Sequence, residues 1–146
     1  MDHCILHETP DGKALITHLA PDWIAMRRAE NPEMTDEALL QEAAAQINLV
    51  SHEIMRKVDL PDPYFREAWV KQGKNCVVDM PKARAVHMDK IRIVRDEKLK
   101  ALDIETLKGI DVQAQKTVLR DIPQTFNLST LTTPEDLKAA WPEVLK

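Results

Sequence analysis

The segment DMPKARAVHMDKIRIVRDEKLKAL, residues 79–102, separates two kinds of sequence pattern. Asp79 can cap a helix that has Pro81 in its first turn, where proline is well tolerated. Apolar residues then recur along one broad side of a helix over roughly residues 80–102. These residues are Val86, Ile91, Val94, Leu99 and Leu102. We therefore predict one long helix, whose start divides the chain into a strand-containing first part and a helical second part.

The sequence before residue 80 predicts two β-hairpins, one on either side of a helix. Asp11-Gly12 and Gly73 are turn signals within strand-like segments. Between them, Thr35 can cap a helix over residues 35–57. The apolar stripe of this helix consists of Leu39, Ala43, Ile47, Val50 and Ile54. The predicted order is β-β-α-β-β, which is a small antiparallel sheet with one helix.

A two-residue turn at the Asp-Gly pair also predicts the register of the first hairpin. It places Ile5 opposite His18, and register decides which face of a strand is buried. The face expected to point to the core carries Cys4, Leu6, Leu15 and Leu19.

The sequence after residue 80 predicts a helical hairpin. The chain is expected to bend near Asp103 and again at Gly109, before a second helix over residues 111–122. The apolar residues presented by this helix are Ala114, Val118 and Ile122. Pro123 is expected to end it, because proline inside a helix removes a hydrogen bond.

A short last helix is indicated by strong start and stop signals. Thr133 and Asp136 imitate a capping box, and Pro134 occupies the first helical position. Pro142 is expected to end the helix. The predicted fold class is therefore α+β, with an N-terminal domain at residues 1–80 and a helical C-terminal module at residues 81–146.

The composition argues against several functional classes. The 146 residues carry a net charge of −4, and residues 1–75 hold the acidity, with 8 Lys and Arg against 13 Asp and Glu. No segment approaches the roughly 20 apolar residues of a membrane helix, and the N-terminus does not read as a signal peptide. Cys4 and Cys76 are expected to be reduced and partly buried, as in a cytosolic protein.

The residues that could carry catalysis or bind a metal do not form a recognisable pattern. His3, His7 and His18 could converge on one face of the hairpin, but Glu8 points to the other face. No CxxC or HExxH spacing supports a metal site. No histidine spacing selects Cys76 as a nucleophile. We therefore expect no enzyme activity, no cofactor and no metal.

The long helix is basic. Over residues 82–100 it carries seven Lys and Arg against three acidic residues, so the alternative function is a nucleic-acid-binding regulatory protein. These charges can instead pair along a solvated face, as Arg92 with Asp96 would. The helix has no aromatic residue to stack on bases, and nucleic acid is not the expected partner.

Two sequence blocks and a closing dipeptide resemble a module of tailed-phage and prophage proteins. The pattern R-x-x-R-D-x-x-L-x-x-L-D lies at residues 92–103, L-R-D-I-P-Q lies at residues 119–124, and Trp141-Pro142 closes the module. Over about residues 65–142 the chain is similar to the C-terminal module of phage tail assembly chaperones and tail-fibre-associated accessory proteins. The segment between the blocks is shorter than in such modules, and the resemblance does not extend to the first 60 residues.

The resemblance implies a non-enzymatic role in phage tail or tail-fibre assembly, as an assembly chaperone or as a small structural adaptor of the virion. The implied partners are phage tail, tail-fibre or baseplate proteins, and self-association through an apolar helix face is also expected. The implied location is the bacterial host cytoplasm during assembly, or the virion tail for an adaptor.

The charged residues of the two blocks suggest a structural latch. If the two helices fold back on each other, Arg95-Asp96 and Arg120-Asp121 could pair across the crossing and fix its register. The residues assigned to the latch and the family motif are Arg92, Arg95, Asp96, Leu119, Arg120, Asp121 and Pro123.

The last segment, residues 133–146, is too short to form a stable helix alone. Its apolar side chains must either pack on the helical module or anchor a partner, as aromatic residues often do. The candidates for partner binding are Leu137, Trp141 and Leu145.

Overall fold

In the computed structural model, which describes residues 1–49 and 51–146, the chain divides after Asp79. The first unit, Met1–Asp79, contains strands and helices, and the second, Met80–Lys146, is helical throughout its regular structure. The division falls one residue before the predicted boundary. The predicted α+β class is confirmed.

The first unit contains two small antiparallel sheets. The larger sheet has three strands in the order β2-β1-β3, with β1 at His3–Glu8, β2 at Ala14–Thr17 and β3 at His52–Arg56. The smaller sheet pairs β4, Trp69–Gln72, with β5, Asn75–Val78. The turn between β4 and β5 contains Gly73 at a φ of 59°, so the predicted second hairpin is confirmed.

Two helices and two 3₁₀ segments complete the first unit. Helices α1, Pro21–Glu30, and α2, Asp36–Gln46, both lie between β2 and β3 in the sequence. The 3₁₀ segments Lys57–Asp59 and Pro63–Ala68 connect the two sheets. The first unit therefore has two helices rather than the one predicted.

Strand β1 is covered on both faces. Ile5 packs against Leu40 of α2, while its neighbour Leu6 packs against Trp69 of β4. Because successive strand residues point to opposite faces, β1 forms the wall between two apolar clusters. This explains why Cys4, Ile5 and Leu6 are all buried without an alternating polar face.

The predicted register of the first hairpin is wrong by one residue. Ile5 pairs with Thr17 rather than His18, because the connection runs over residues 9–13 instead of two residues. A shift of one residue exchanges the faces of a strand. As a result Ala14 is buried while Leu15, which was expected in the core, is exposed.

The predicted helix over residues 35–57 is correct only in its first half. Its start is confirmed, since the Thr35 side chain accepts a hydrogen bond from the N–H of Ala38. Helix α2 ends at Gln46 because Asn48 adopts a left-handed φ of 53°. The N–H groups of Asn48 and Leu49 donate back into the last turn, to the carbonyls of residues 45 and 44, as in a Schellman helix end.

The second half of that predicted helix is a strand. Strand β3 pairs antiparallel with β1, with Ile54 opposite Ile5. Ile54 packs against the cluster that contains Ile5, so its helical spacing from Ala43 is a coincidence of the sequence. Val50 of the predicted stripe lies outside the described residues.

Helix α1 was not predicted, and its structure shows why. None of its residues is fully buried, and no side chain caps its N-terminus. Trp23 is its contact with the apolar cluster around Ile5. Arg27 pairs with Glu42, and Arg28 pairs with Asp36, so ion pairs connect α1 with α2.

The second unit is built on helix α3, which spans the 28 residues Met80–Leu107. The predicted bend at Asp103 is wrong, since α3 continues for one more turn. The chain reverses at Gly109, which has a φ of 82°, and helix α4 follows at Gln113–Thr125. A final helix α5 at Pro134–Ala139, capped by Thr133, precedes a 3₁₀ turn at Glu143–Leu145.

Pro123 lies inside α4 instead of ending it. A proline lacks the N–H that would bond the carbonyl four residues earlier, so α4 continues past Pro123 without the bond to the Leu119 carbonyl. The helix continues to Thr125, and the N–H of Phe126 still donates to the Ile122 carbonyl at 2.8 Å.

The core of the second unit joins α3, α4 and the C-terminal 3₁₀ turn. Its buried residues come from α3, α4 and the C-terminal 3₁₀ turn, and they are Ile91, Leu119, Ile122 and Leu145. Partly buried side chains surround them, namely Met88, Val94, Leu99, Leu102, Phe126 and Trp141. The predicted apolar side of α3 is therefore the side that packs.

The left-handed position of Asn48 generates a stability prediction. Asn48→Ala should lower the free energy of unfolding by about 1 kcal/mol, because a Cβ without a compensating side chain is strained at positive φ. Asn48→Gly should equal or exceed the wild type. Urea unfolding midpoints measure both variants. Equal destabilisation by alanine and glycine would contradict this role for the backbone.

Candidate functional site

Helix α4 packs with a different face from the one predicted. Its buried residues recur at helical spacing and begin just before its first turn: Val112, Lys116, Leu119 and Ile122. Ala114 and Val118 of the predicted stripe are exposed. This buried stripe was not predicted because Lys116 lies in its middle, and lysine is counted as a surface residue in apolar patterns.

The buried side chain of Lys116 bonds α4 to the last turns of α3. Its side chain runs through the packed face, and its Nζ donates to Thr106 Oγ1 at 2.6 Å and to Asp103 Oδ1 at 2.9 Å. Burial of the aliphatic stem with a paired ammonium is the common way to bury lysine. The two acceptors lie on the last turns of α3, so one side chain joins both helices.

The predicted latch between the two arginine-aspartate pairs is not formed. Arg95 pairs with its own neighbour Asp96, with Nη2 and Oδ1 2.8 Å apart. Arg120 and Asp121 are exposed, and within the described chain neither has an ion pair. The reason is geometric, because the buried face of α4 runs through Lys116 and Leu119 and turns residues 120 and 121 to solvent.

The remaining motif residues divide between packing and surface. Leu119 is buried in the core, and Pro123 is half-buried in the last turn of α4. Arg92 pairs with Asp89, not with Asp96. The residues of the phage-module motif thus contribute apolar packing rather than ion pairs between α3 and α4.

The C-terminal segment packs within its own unit. Leu137 and Leu145 are buried, and they are therefore not available as anchors for a partner. Trp141 contacts the ring of His87 edge-on, with centroids 5.2 Å apart, and its Nε1 donates to the Lys138 carbonyl. Of the two possibilities open from the sequence, the structure shows intramolecular packing.

His87 holds this segment on α3. The imidazole is fully buried, and its Nε2 donates to the Ala140 carbonyl at 2.7 Å. Burial lowers the pKa of His87; the bond to Ala140 opposes this effect, and the charge of Lys90 adds to it. No sequence pattern predicted this contact, since a lone histidine on a helix matches no motif.

An apolar groove lies open between α3, α4 and the C-terminal turn. Its volume is about 410 Å³, and its lining includes Ala101, Leu102, Gln115, Val118, Leu119 and Val144. Val118 is 54% exposed and Val144 is 42% exposed. Lys98 stands at its edge, where its Nζ donates to the Val144 carbonyl at 2.7 Å. The groove thus presents an apolar surface with a single cation.

Further apolar side chains are exposed at the same end of the hairpin. Ile104 and Leu107 on the last turns of α3, and Ile110 in the connection, all face solvent. Concentrations of exposed apolar residues commonly mark protein-interaction surfaces. This end of the second unit is therefore the candidate functional site.

The basic side chains of α3 are largely engaged in intramolecular bonds. Arg84 donates to the Leu131 carbonyl at 2.8 Å, and Lys98 is bonded as described above. Arg92 and Arg95 pair with neighbouring aspartates. These bonds reduce the charge that the helix could offer to phosphates.

Two groups of residues were considered for metal binding or catalysis, the histidines of the first hairpin and the two cysteines. His7 shares a hydrogen bond with Thr17 at 3.0 Å. Across the described ranges, no three His, Cys, Asp or Glu side chains come together as metal ligands would. Cys4 and Cys76 are free and buried, and burial, with a smaller effect of Cys4, raises the pKa of Cys76 to about 11. Such a thiol is protonated at neutral pH.

The chain matches no family model, and no curated protein or solved structure is significantly similar to it. Among the helices of the described residues, none has both the length and the apolar character needed to cross a membrane. A functional proposal must therefore start from the groove and from the sequence blocks that build it.

The buried lysine provides a stability prediction. Lys116→Ala should lower the free energy of unfolding by about 1–3 kcal/mol, because it removes a buried aliphatic stem and the two bonds that join α4 to α3. Arg120→Ala is the matched control on the same helix, and it should change stability by less than about 0.5 kcal/mol. Urea denaturation measures both. A larger loss of stability in Arg120→Ala than in Lys116→Ala would instead support the charged latch.

The burial of His87 predicts a pH dependence. Its folded pKa lies below the ordinary 6.5, so below that pH the unfolded chain binds a proton that the folded chain does not. Stability should be full above about pH 6.5 and should fall as the pH decreases toward the folded pKa. Urea midpoints at about pH 7.5 and about pH 5.5 measure this loss.

The matched variant for this experiment is His87→Gln, whose amide can still donate to Ala140 but does not titrate. Its midpoints should differ less between the two pH values than those of the wild type. His7 and His18, whose pKa values are also lowered by burial, remain in both proteins. An unchanged pH dependence in His87→Gln would rule out His87 as its source.

Proposed function

We propose that this chain acts, without catalysing a reaction, in the assembly of a phage tail or tail fibre. It serves there as an assembly chaperone or as a small structural adaptor of the virion. The observation that carries the proposal is the open apolar groove of the second unit. The groove is built by the two helices whose sequences resemble the phage module.

The residues of the resemblance have a consistent role in this surface. Leu102 of the first block and Leu119 of the second line the groove. Leu99 and Ile122 pack in the core behind it. The pattern thus corresponds to a helical hairpin that presents an apolar surface, which is what a protein-binding module requires.

The groove selects the chemistry of its occupant. Its lining is mainly aliphatic, so it fits a segment with two or three adjacent apolar side chains, such as one face of a short amphipathic helix. The single cation at its edge, Lys98, favours an acidic residue beside the apolar ones. We assign this occupant to a tail, tail-fibre or baseplate protein.

A chaperone and an adaptor would use the same surface at different times. A chaperone covers an apolar segment of a tail protein in the host cytoplasm and leaves when that segment assembles. An adaptor stays bound in the virion tail. Mass spectrometry of purified virions separates the two roles, because only an adaptor remains in the particle.

The groove predicts which substitution abolishes partner binding. Val118→Asp places a charge in the apolar surface, and it should reduce capture of the partner at least about tenfold. Stability should change little, because Val118 is exposed. Ile93→Asp is the matched control, since Ile93 is 61% exposed on α3 but does not line the groove. Affinity purification of the tagged chain from cells assembling phage particles, with quantitative mass spectrometry, measures both.

The proposal requires that the captured protein be a tail, tail-fibre or baseplate protein. It fails if Val118→Asp and Ile93→Asp capture such a protein equally, or if the chain captures only copies of itself. Binding to duplex DNA tighter than about 10⁻⁵ M at physiological salt, with a steep salt dependence, would instead favour the nucleic-acid-binding alternative.

A further inference from the structure

A second concave surface, in the first unit, has a very different chemistry from the groove. It has a volume of about 240 Å³ and lies beside strands β2 and β4. Three basic side chains line it, Lys13, His18 and Arg66, against one acidic side chain, Glu67. This excess of positive charge occurs in the half of the chain that is acidic overall.

The single carboxylate of this cavity, that of Glu67, is already in an ion pair. Lys13 Nζ pairs with Glu67 Oε2 at 2.5 Å, and this contact lowers the pKa of Glu67. Arg66 and His18 have no carboxylate partner among the residues that the structure describes. The charge left over in the cavity is therefore that of Arg66, with His18 as a second donor when it is protonated.

Arg66 is held in place by an aromatic ring. Its guanidinium carbon lies 5.5 Å from the centroid of the Trp69 ring, within the range of a cation–π contact. The ring leaves the planar fork of N–H donors unpaired, and that fork matches the two oxygens of a carboxylate or phosphate.

Two further features of this cavity fit the chemistry of a bound anion. The pKa of His18 is lowered by burial and by the charges of Lys57 and Arg66, so cations crowd this side of the unit. Trp69, which also lines the cavity, is only 2% exposed, and its buried Nε1 has no acceptor among the described residues. A bound oxyanion would reduce the repulsion between these cations, and one of its oxygens would accept the hydrogen bond from Nε1.

We propose that this cavity binds an oxyanion, a carboxylate or phosphate group of a small molecule, with Arg66 as the principal ligand and His18 as the second. Lys13, Glu67 and Trp69 also line the cavity, and Lys13 and Glu67 are joined by their ion pair. This site is independent of the groove, so it stands or falls separately from the proposed assembly function.

The experiment follows the His18 ring protons by NMR in the full chain, across pH, with inorganic phosphate or acetate added. A bound anion stabilises the protonated imidazole, so the pKa of His18 should rise in the presence of the preferred anion. His3, which does not line the cavity, is the internal reference. The two anions distinguish a phosphate site from a carboxylate site.

The variants assign the binding to the cavity. Arg66→Ala should weaken the apparent affinity for the preferred anion about tenfold or more. Arg66→Lys should retain part of it, because the charge remains while the two-donor fork is lost. Lys74→Ala, in the exposed β4–β5 turn, should bind like the wild type. Circular dichroism checks that each variant is folded.

The inference is overturned if the His18 pKa changes no more than that of His3 with either anion. It is also overturned if a folded Arg66 variant binds like the wild type, since the anion would then act through general ionic strength. The inference is overturned as well if the anion changes the His18 pKa equally in Lys74→Ala and Arg66→Ala.

Discussion

The architecture of the second unit depends on how much of helix α3 can be covered. A helix of 28 residues has one broad apolar side, and in water that side must be buried because isolated helices gain little stability from propensity alone. The unit covers this side with α4, α5 and the C-terminal turn. The cover is incomplete near Ala101 and Leu102, and the apolar groove is the part of α3 left without a cover.

Polar contacts fix the positions of α4 and the C-terminal segment on α3 more than they stabilise their packing. His87 aligns the C-terminal segment through one carbonyl, and Lys116 aligns α4 through Thr106 and Asp103. Apolar packing has no direction, whereas a buried donor must meet its acceptor or remain unsatisfied. A groove of defined shape requires this alignment, because a small rotation of α4 would change which side chains line it.

The sequence predicted the elements whose signals are local. The start of α2, the long helix α3, the turn at Gly73 and the capped helix α5 all follow from residues a few positions apart. The hairpin register, the end of α2 and the packed face of α4 depend on other features, namely a longer connection, one left-handed asparagine and one buried lysine. The groove was not predicted because its position follows from that packed face. The basic cavity was not predicted because it joins residues from β2 and the 3₁₀ segment before β4.

Helix α1 differs from every other helix of the chain in having no fully buried residue. Its connections are the single aromatic contact of Trp23 and ion pairs that salt screens. The cost of releasing it is therefore small compared with the cost of opening the sheet, so its amide protons should exchange with solvent through local opening rather than global unfolding. Such a segment should also tolerate insertion or replacement, because few buried contacts tie it to the wall formed by β1.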